Sequence, residues 1–276
     1  MSASRGRKIA VSGKGGAGKT TFVSTLAKTY TEDGVEVYAI DADPAANLAG
    51  ALGYPNPDDI VPISEMRELI AERTESSLKG YGAFFKLNPN VTDIPEVYRK
   101  TAGGVHFLTV GAIRKGGGGC ACPENTFLKA LLTNLVMHRN EVVIVDMEAG
   151  IEHLGRATIQ ATDALIVIVE PGRQSVNTAH SIRRLARDIG MKRVFAVANK
   201  VRSDQELAFL RSALDDWTLL GAVRYQDAIA RRDLEGRPPF EENEKLLAEV
   251  RAVRETLERS LAAGPSRAVA KAAKER

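Results

Sequence analysis

Only two cysteines, Cys120 and Cys122, occur among 276 residues, so no disulfide framework holds this chain together. Residues two apart are also a poor pair for an unstrained disulfide, given its preferred Cα separation and torsion. In a reducing compartment the remaining uses of such a pair are metal binding, redox chemistry or no special role. Nowhere do 18 uncharged apolar residues follow one another, and the opening Met-Ser-Ala-Ser-Arg-Gly-Arg-Lys is polar and basic. Neither a spanning helix nor a signal sequence is expected, and a soluble cytoplasmic protein is. An excess of charge of one sign is lacking too. The net charge is +3, and part of the excess sits in Arg267, Lys271, Lys274 and Arg276, so neither nucleic acid nor membrane is expected as a partner.

What is present is a 44% apolar chain with no compositional break before its last dozen residues, enough for one large α/β core. Short β-rich runs at 8–12, 36–41, 105–110, 141–146, 164–169, 193–198 and 219–223 alternate with helical stretches at 19–33, 123–138, 175–189 and 204–215. Most of the strand candidates lack polar/apolar alternation, as expected for strands buried on both faces. The repeated βα order predicts a doubly wound, mostly parallel α/β sheet with helices on both faces. One domain over 1–264 is expected, interrupted at about 54–104 by an insertion with a helical piece at 64–73 and the aromatics Tyr81, Phe84, Phe85 and Tyr98. Those aromatics are expected to pack the insertion onto the body. A last helix from about 242 to 262 precedes Gly264 and Pro265, and a basic, disordered tail over 265–276 is expected to follow.

Gly13-Lys14-Gly15-Gly16-Ala17-Gly18-Lys19-Thr20 fits G-x-x-x-x-G-K-[ST] and lies between a strand and a helix, the context a P-loop needs. Its glycines let backbone N–H groups turn in around a β-phosphate, and the helix N-terminus adds partial positive charge. Lys19 reaches the β- and γ-phosphate oxygens, and Thr20 offers a hydroxyl to Mg²⁺. Two further strand ends carry carboxylates. Asp41-Ala42-Asp43-Pro44 closes the second strand, and Val142-Val143-Ile144-Val145-Asp146 is an apolar strand ending in the acid that a Mg²⁺ site uses. The lesser alternative for Asp43 is a turn cap before Pro44. Asn199, closing another strand, can give and take hydrogen bonds on a purine edge.

The loop Lys-Gly-Gly-Ala-Gly-Lys-Thr-Thr, residues 14–21, resembles the deviant Walker A loop of ATPases that include cell-division and plasmid-partition proteins, the nitrogenase iron protein and metal-insertion ATPases. The resemblance implies a MinD-like P-loop fold, a homodimer, and a Lys14 that crosses the interface to the partner's nucleotide. It also implies that Asp43 positions the hydrolytic water and Asp41 helps on the metal side. By the same resemblance Asp146 touches Mg²⁺ through water, Gly150 senses the γ-phosphate, and Thr21 joins the nucleotide contacts. Readers of GTP usually carry Asp two positions after Asn-Lys. Here that position is Arg202, so ATP and ADP are expected.

Cys120-Ala121-Cys122 lies between four glycines and Pro123, which suits a first helical position. A thiol near a helix start favours the thiolate, which binds soft or borderline metals. Two sulfurs are too few for a closed four-ligand site, but a twofold axis would bring four together. Such a site suits Ni²⁺ or Zn²⁺, although a redox pair and two small residues in a tight turn remain alternatives.

Gly-Gly-Cys-Ala-Cys-Pro-Glu-Asn, Asp-Met-Glu-Ala-Gly-Ile-Glu-His-Leu-Gly-Arg (146–156), Val-Glu-Pro-Gly-Arg-Gln-Ser (169–175) and Pro-Ile-Ser-Glu-Met (62–66) together resemble the CooC-type ATPases. These are accessory proteins for maturing the nickel-iron cluster of carbon monoxide dehydrogenase. The likeness runs from Lys8 to about Ala262 and implies a metallochaperone whose Cys120 and Cys122 bind Ni²⁺ in a dimer, with apo carbon monoxide dehydrogenase as client. His153 is read as packing or hydrogen bonding, not as a ligand. Two rival readings are an iron-sulfur electron donor, which in the nitrogenase iron protein takes its cysteines from separate loops, and a positioning ATPase on membrane or DNA.

Overall fold

The computed structural model describes residues 6–43, 45–76, 85–111, 123–138, 141–148 and 158–263. The chain opens with β1 (Lys8–Gly13), α1 (Lys19–Glu32), β2 (Val37–Ala42) and α2 (Leu48–Ala51). Then come α3 (Arg67–Thr74), α4 (Ile94–Tyr98), β3 (Lys100–Ala102), β4 (Val105–Thr109), α5 (Pro123–His138) and β5 (Val142–Met147). The second half runs β6 (Ala164–Val169), α6 (Arg173–Asp188), β7 (Val194–Val201), α7 (Asp204–Ala213), β8 (Thr218–Arg224), α8 (Asp227–Leu234) and α9 (Glu244–Ala262).

The strands form one eight-stranded sheet in the order β3-β4-β2-β5-β1-β6-β7-β8. Every pairing is parallel except β3 with β4. All six residues of β5 and of β6 are buried, and alternate side chains feed opposite layers. Leu165, Val167 and Val169 join α3, α5, α6 and α7 in one core cluster. Ala164, Ile166 and Ile168 join α1, α2 and α9 in the other. A strand buried on both faces has no polar side to show, which is why these runs lack alternation.

The seven expected strands form, with ends shifted by a residue or so except at β7, which continues to Val201. The antiparallel edge strand β3 was not expected. It lies inside 54–104 and pairs with β4 across Gly103-Gly104, both at positive φ (57° and 83°), the backbone a two-residue hairpin demands. The expected helical piece at 64–73 is a short 3₁₀ turn at Ile63–Glu65 followed by α3. Tyr98 packs on the first core cluster and Phe85 is half-buried. Tyr81, Phe84 and the basic tail lie outside the described residues.

The last helix begins at Glu244, not 242, because Glu242 is left-handed (φ 48°) and the Asn243 side chain accepts from the Leu246 N–H at 3.2 Å, a side-chain N-cap. Its apolar stripe of Leu246, Leu247, Val250, Val253, Leu257 and Leu261 is buried, and all of these but Leu247 belong to the second core cluster. At about 1.5–3 kcal/mol per buried large aliphatic, this stripe contributes on the order of 10 kcal/mol before conformational entropy is subtracted. That face is therefore taken by the core and is not free for a membrane surface. No helix among the described residues is long and apolar enough to cross a membrane.

Candidate nucleotide and metal site

Parallel pairing brings the carboxyl ends of β1, β2, β5, β6 and β7 to one edge, where open α/β sheets hold ligands. The register sets Asp41 beside Asp146, and Gly13 beside Ile168. The loop from Gly13 to Gly18 leaves β1 there and opens α1. Gly13 has φ +155°, and a Cβ on it would lie 2.5 Å from the Ile168 carbonyl oxygen. Gly18 has φ +92°, and its Cβ would meet Asn199 Nδ2 at 2.4 Å. No other residue fits either place. Gly18 gives α1 no side-chain cap, and the first turn holds no acidic residue. The first N–H groups of α1 are thus left for an external anion, and the dipole favours one.

Asn199 is 6% exposed and donates from Nδ2 to the Ala17 carbonyl at 2.7 Å. Lys200 donates from Nζ to the Gly16 carbonyl at 2.6 Å and adopts a left-handed φ of 58°. A register shift between Ala198 and Val201 in the β7/β8 pairing lifts both residues toward the loop. Asn199, expected at a purine edge, thus commits its amide nitrogen to holding the loop. The Arg202 guanidinium stacks 3.7 Å above the centre of the Tyr225 ring at the adjacent strand ends.

Lys19 is 7% exposed, with Nζ 3.8 Å from Asp43 Oδ2. Asp43 Oδ1 accepts from the Ala45 N–H at 3.0 Å, so this residue caps the turn and also faces the loop lysine. Asp41 is fully buried, and its two oxygens accept from the N–H groups of Asp43 (3.2 Å) and Leu48 (2.9 Å). It braces the loop after β2. Thr20 Oγ1 donates to Asp146 Oδ2 at 2.7 Å, while the buried Asp146 Oδ1 has no hydrogen-bond partner among the described residues.

Burial pushes the Asp146 carboxyl up to about 7. The Thr20 hydroxyl opposes the rise, the Asp41 charge adds to it, and Lys19 pulls it back. Burial likewise raises Asp41 to about 6, against two backbone hydrogen bonds. Two buried carboxylates side by side, one oxygen of them unpartnered, are stabilised by a cation. Thr20 and Asp146 therefore fit a Mg²⁺ ion. No three His, Cys, Asp or Glu side chains converge as a metal cage among the described residues. That is consistent with Mg²⁺, which keeps several waters and takes other ligands from phosphate.

Two contacts went unread in the sequence. Lys14 Nζ donates to Glu170 Oε1 at 3.0 Å, and the buried Ser12 hydroxyl donates to the Glu148 carbonyl at 3.0 Å. Glu170 stood within the 169–175 run, but nothing local in that run tells which cation it faces. Helix α5 starts at Pro123 as expected. Cys120, Cys122, Gly150 and His153 lie outside the described residues.

Residues 8–240 match the CobQ/CobB/MinD/ParA nucleotide binding domain family. Over 231 residues the chain is 45% identical to the carbon monoxide dehydrogenase accessory protein CooC of Rhodospirillum rubrum, covering 83% of this chain and 88% of that protein. The chain belongs to the CooC-type ATPases of that family. An uncharacterized ATP-binding protein of Methanocaldococcus jannaschii is 40% identical across 84% of this CooC-type chain and 90% of its own length. Nitrogenase iron protein 2 of Methanothermobacter thermautotrophicus is 26% identical across 85% and 82%. Among solved structures, Pyrococcus horikoshii MinD with Mg-ADP superposes with TM-score 0.65 at 18% identity, covering 94% of this chain and 97% of that one. A Borrelia burgdorferi plasmid partition protein bound to AMPPNP gives 0.68 at 14% identity, covering 92% and 99%. The MinD-like P-loop fold expected from the sequence is therefore the fold this CooC-type ATPase has.

Proposed function

We propose that this ATPase is a metallochaperone, which carries Ni²⁺ as cargo on Cys120 and Cys122 at a homodimer axis and delivers it to apo carbon monoxide dehydrogenase. The observation that carries the client assignment is the 45% identity over 83% of the chain to a carbon monoxide dehydrogenase accessory protein. Residues 1–264 act as one ATPase domain in the cytoplasm, with 54–104 as an insertion upon it.

In this reading the Gly13–Thr21 loop binds the phosphates through its N–H groups, with Lys19 on the β- and γ-phosphates. Thr20 and Asp146 would hold Mg²⁺, which when bound offsets phosphate charge. Asp41 braces the loop that presents Asp43, and Asp43 orients the attacking water. Lys14 serves the partner's nucleotide, so hydrolysis is slow until two protomers meet. Asn199 holds the loop from the base side of the site, and Arg202, in place of an acid, leaves adenine as the base. The same two sulfurs also suit Zn²⁺.

The test is calorimetric titration of Ni²⁺ into the reduced, metal-free chain, read beside gel filtration with ADP or ATP. One metal per two chains, lost on Cys120→Ser/Cys122→Ser and coupled to dimer formation, is expected. No binding of Ni²⁺ or Zn²⁺ would sink the cargo reading. A brown, oxygen-sensitive protein would instead favour the iron-sulfur reading, to which the 26% identical nitrogenase iron protein lends support.

A further inference from the structure

The Lys14 ammonium is not free within its loop. It is 3.0 Å from Glu170 Oε1, and the two side chains are 35% and 26% exposed. Glu170 follows β6, the strand beside β1, and its backbone N–H donates to Ser175 Oγ at 3.1 Å. Ser175 is 2% exposed and lies in the first turn of α6. The carboxylate is therefore mounted on a strand-to-helix corner that the core fixes. The lysine it holds belongs to the loop, whose turn is closed by the Ala17 N–H on the Lys14 carbonyl at 3.0 Å.

We propose that Glu170 is a positioning residue that holds Lys14 inside its own protomer until a partner's triphosphate displaces it. The proposal rests on the reading of Lys14 as a residue that acts across the dimer interface. One carboxylate offers one negative charge, whereas a triphosphate offers several and adds acceptor oxygens, so the exchange favours the partner only when that charge is present. A half-exposed ion pair is weak and salt-screened, so it sets a threshold for association rather than a block. Each dimer opens two such pairs, one per protomer. Glu170 therefore makes dimerisation discriminate between nucleotide states, because a diphosphate competes less well for the lysine than a triphosphate.

Sedimentation velocity on the full chain, with β,γ-imido-ATP or ADP and across protein concentration, tests this. At about threefold per opened pair, Glu170→Gln should dimerise with the triphosphate analogue at roughly tenfold lower protein concentration than wild type. It should also begin to dimerise with ADP. Ser175→Ala, which loosens the mount while keeping the charge, should move in the same direction by less. Glu170→Gln should give no gain when Lys14 is already Gln. If Glu170→Gln is folded by circular dichroism yet dimerises like wild type or worse, while Lys14→Gln is impaired, the latch is overturned and the cross-interface reading stands. If Lys14→Gln dimerises like wild type and hydrolyses ATP normally, the cross-interface reading itself has failed.

Discussion

The two ends of α1 are both polar and largely buried, and they differ in whether their charges are satisfied. At its C-terminal end, Arg254 of α9 donates to the Thr29 carbonyl and the Asp33 carboxylate, and lies 4.8 Å from the Tyr30 ring centre. Tyr30 donates to Glu258 at 2.6 Å, and Arg7 donates to the same carboxylate at 2.8 Å. Burial, followed by the Glu258 charge, pushes the Tyr30 phenol above its ordinary range, so it stays a neutral donor. At the N-terminal end, Asp146 keeps an unpartnered buried oxygen beside a second buried carboxylate. One end is a closed clamp and the other is held open, which is how a stabilising cluster differs from a site waiting for a ligand.

The comparison breaks most sharply at Asp146. Asp146→Asn should lower steady-state ATPase activity by about 10²–10³-fold, while raising the urea midpoint of the nucleotide-free, metal-free protein. Loss of stability alongside activity would place Asp146 with the closed clamp.

A pH series is next in size. Both carboxyls have folded-state values above their unfolded ones, so the fold holds protons that the unfolded chain has released. Their contribution is fully present below about pH 4 and is lost as pH rises through about 6 for Asp41 and 7 for Asp146. Between pH 5 and 8 the metal-free protein should lose roughly 2–4 kcal/mol of unfolding free energy. Mg²⁺ with ADP, or Asp146→Asn, should flatten that slope in urea melts. A slope of the opposite sign would contradict the unsatisfied pair.

At the clamp, Arg254→Ala should cost about 2–3 kcal/mol, because it strands a buried carbonyl while the partly exposed Asp33 recovers water. Turnover per folded molecule at low temperature should be near wild type. Smallest is Asn199→Ala, which removes one anchor of the loop. It should raise the KM for ATP by about fivefold, equivalent to roughly 1 kcal/mol of lost positioning, with little change in the melting temperature. A matching drop in stability would mean that Asn199 serves the core first.

The P-loop was legible because its glycines, lysine and threonine act through local backbone geometry. Asp146 was legible because an apolar strand ending in an acid is unusual. The buried strands showed through for the same reason, their unbroken apolar runs. Short elements were harder: β3 exists only by pairing with β4, and Gly103-Gly104, a hairpin signal between two short runs, went unread. Asp41 read as a metal-side residue, but its burial and its two N–H partners follow from the path of the loop after β2, which sequence does not give. Glu170 was visible as part of a motif, yet its cation lies 156 positions away. The cysteine loop is the reverse case, plain in sequence and outside the described residues.

The clamp between α1 and α9 joins two helices that are far apart in the time of synthesis. Thr29 and Arg254 are separated by 225 positions, and the apolar face of α1 is covered by side chains as late as Leu261. On the ribosome, the helix that follows the phosphate loop is made early, and its side facing α9 waits uncovered until the intervening residues are translated. The emerging polypeptide thus has an interval in which α1 needs shielding from other nascent chains. Competence to bind nucleotide should arrive late and abruptly, when α9 clears the exit tunnel and docks.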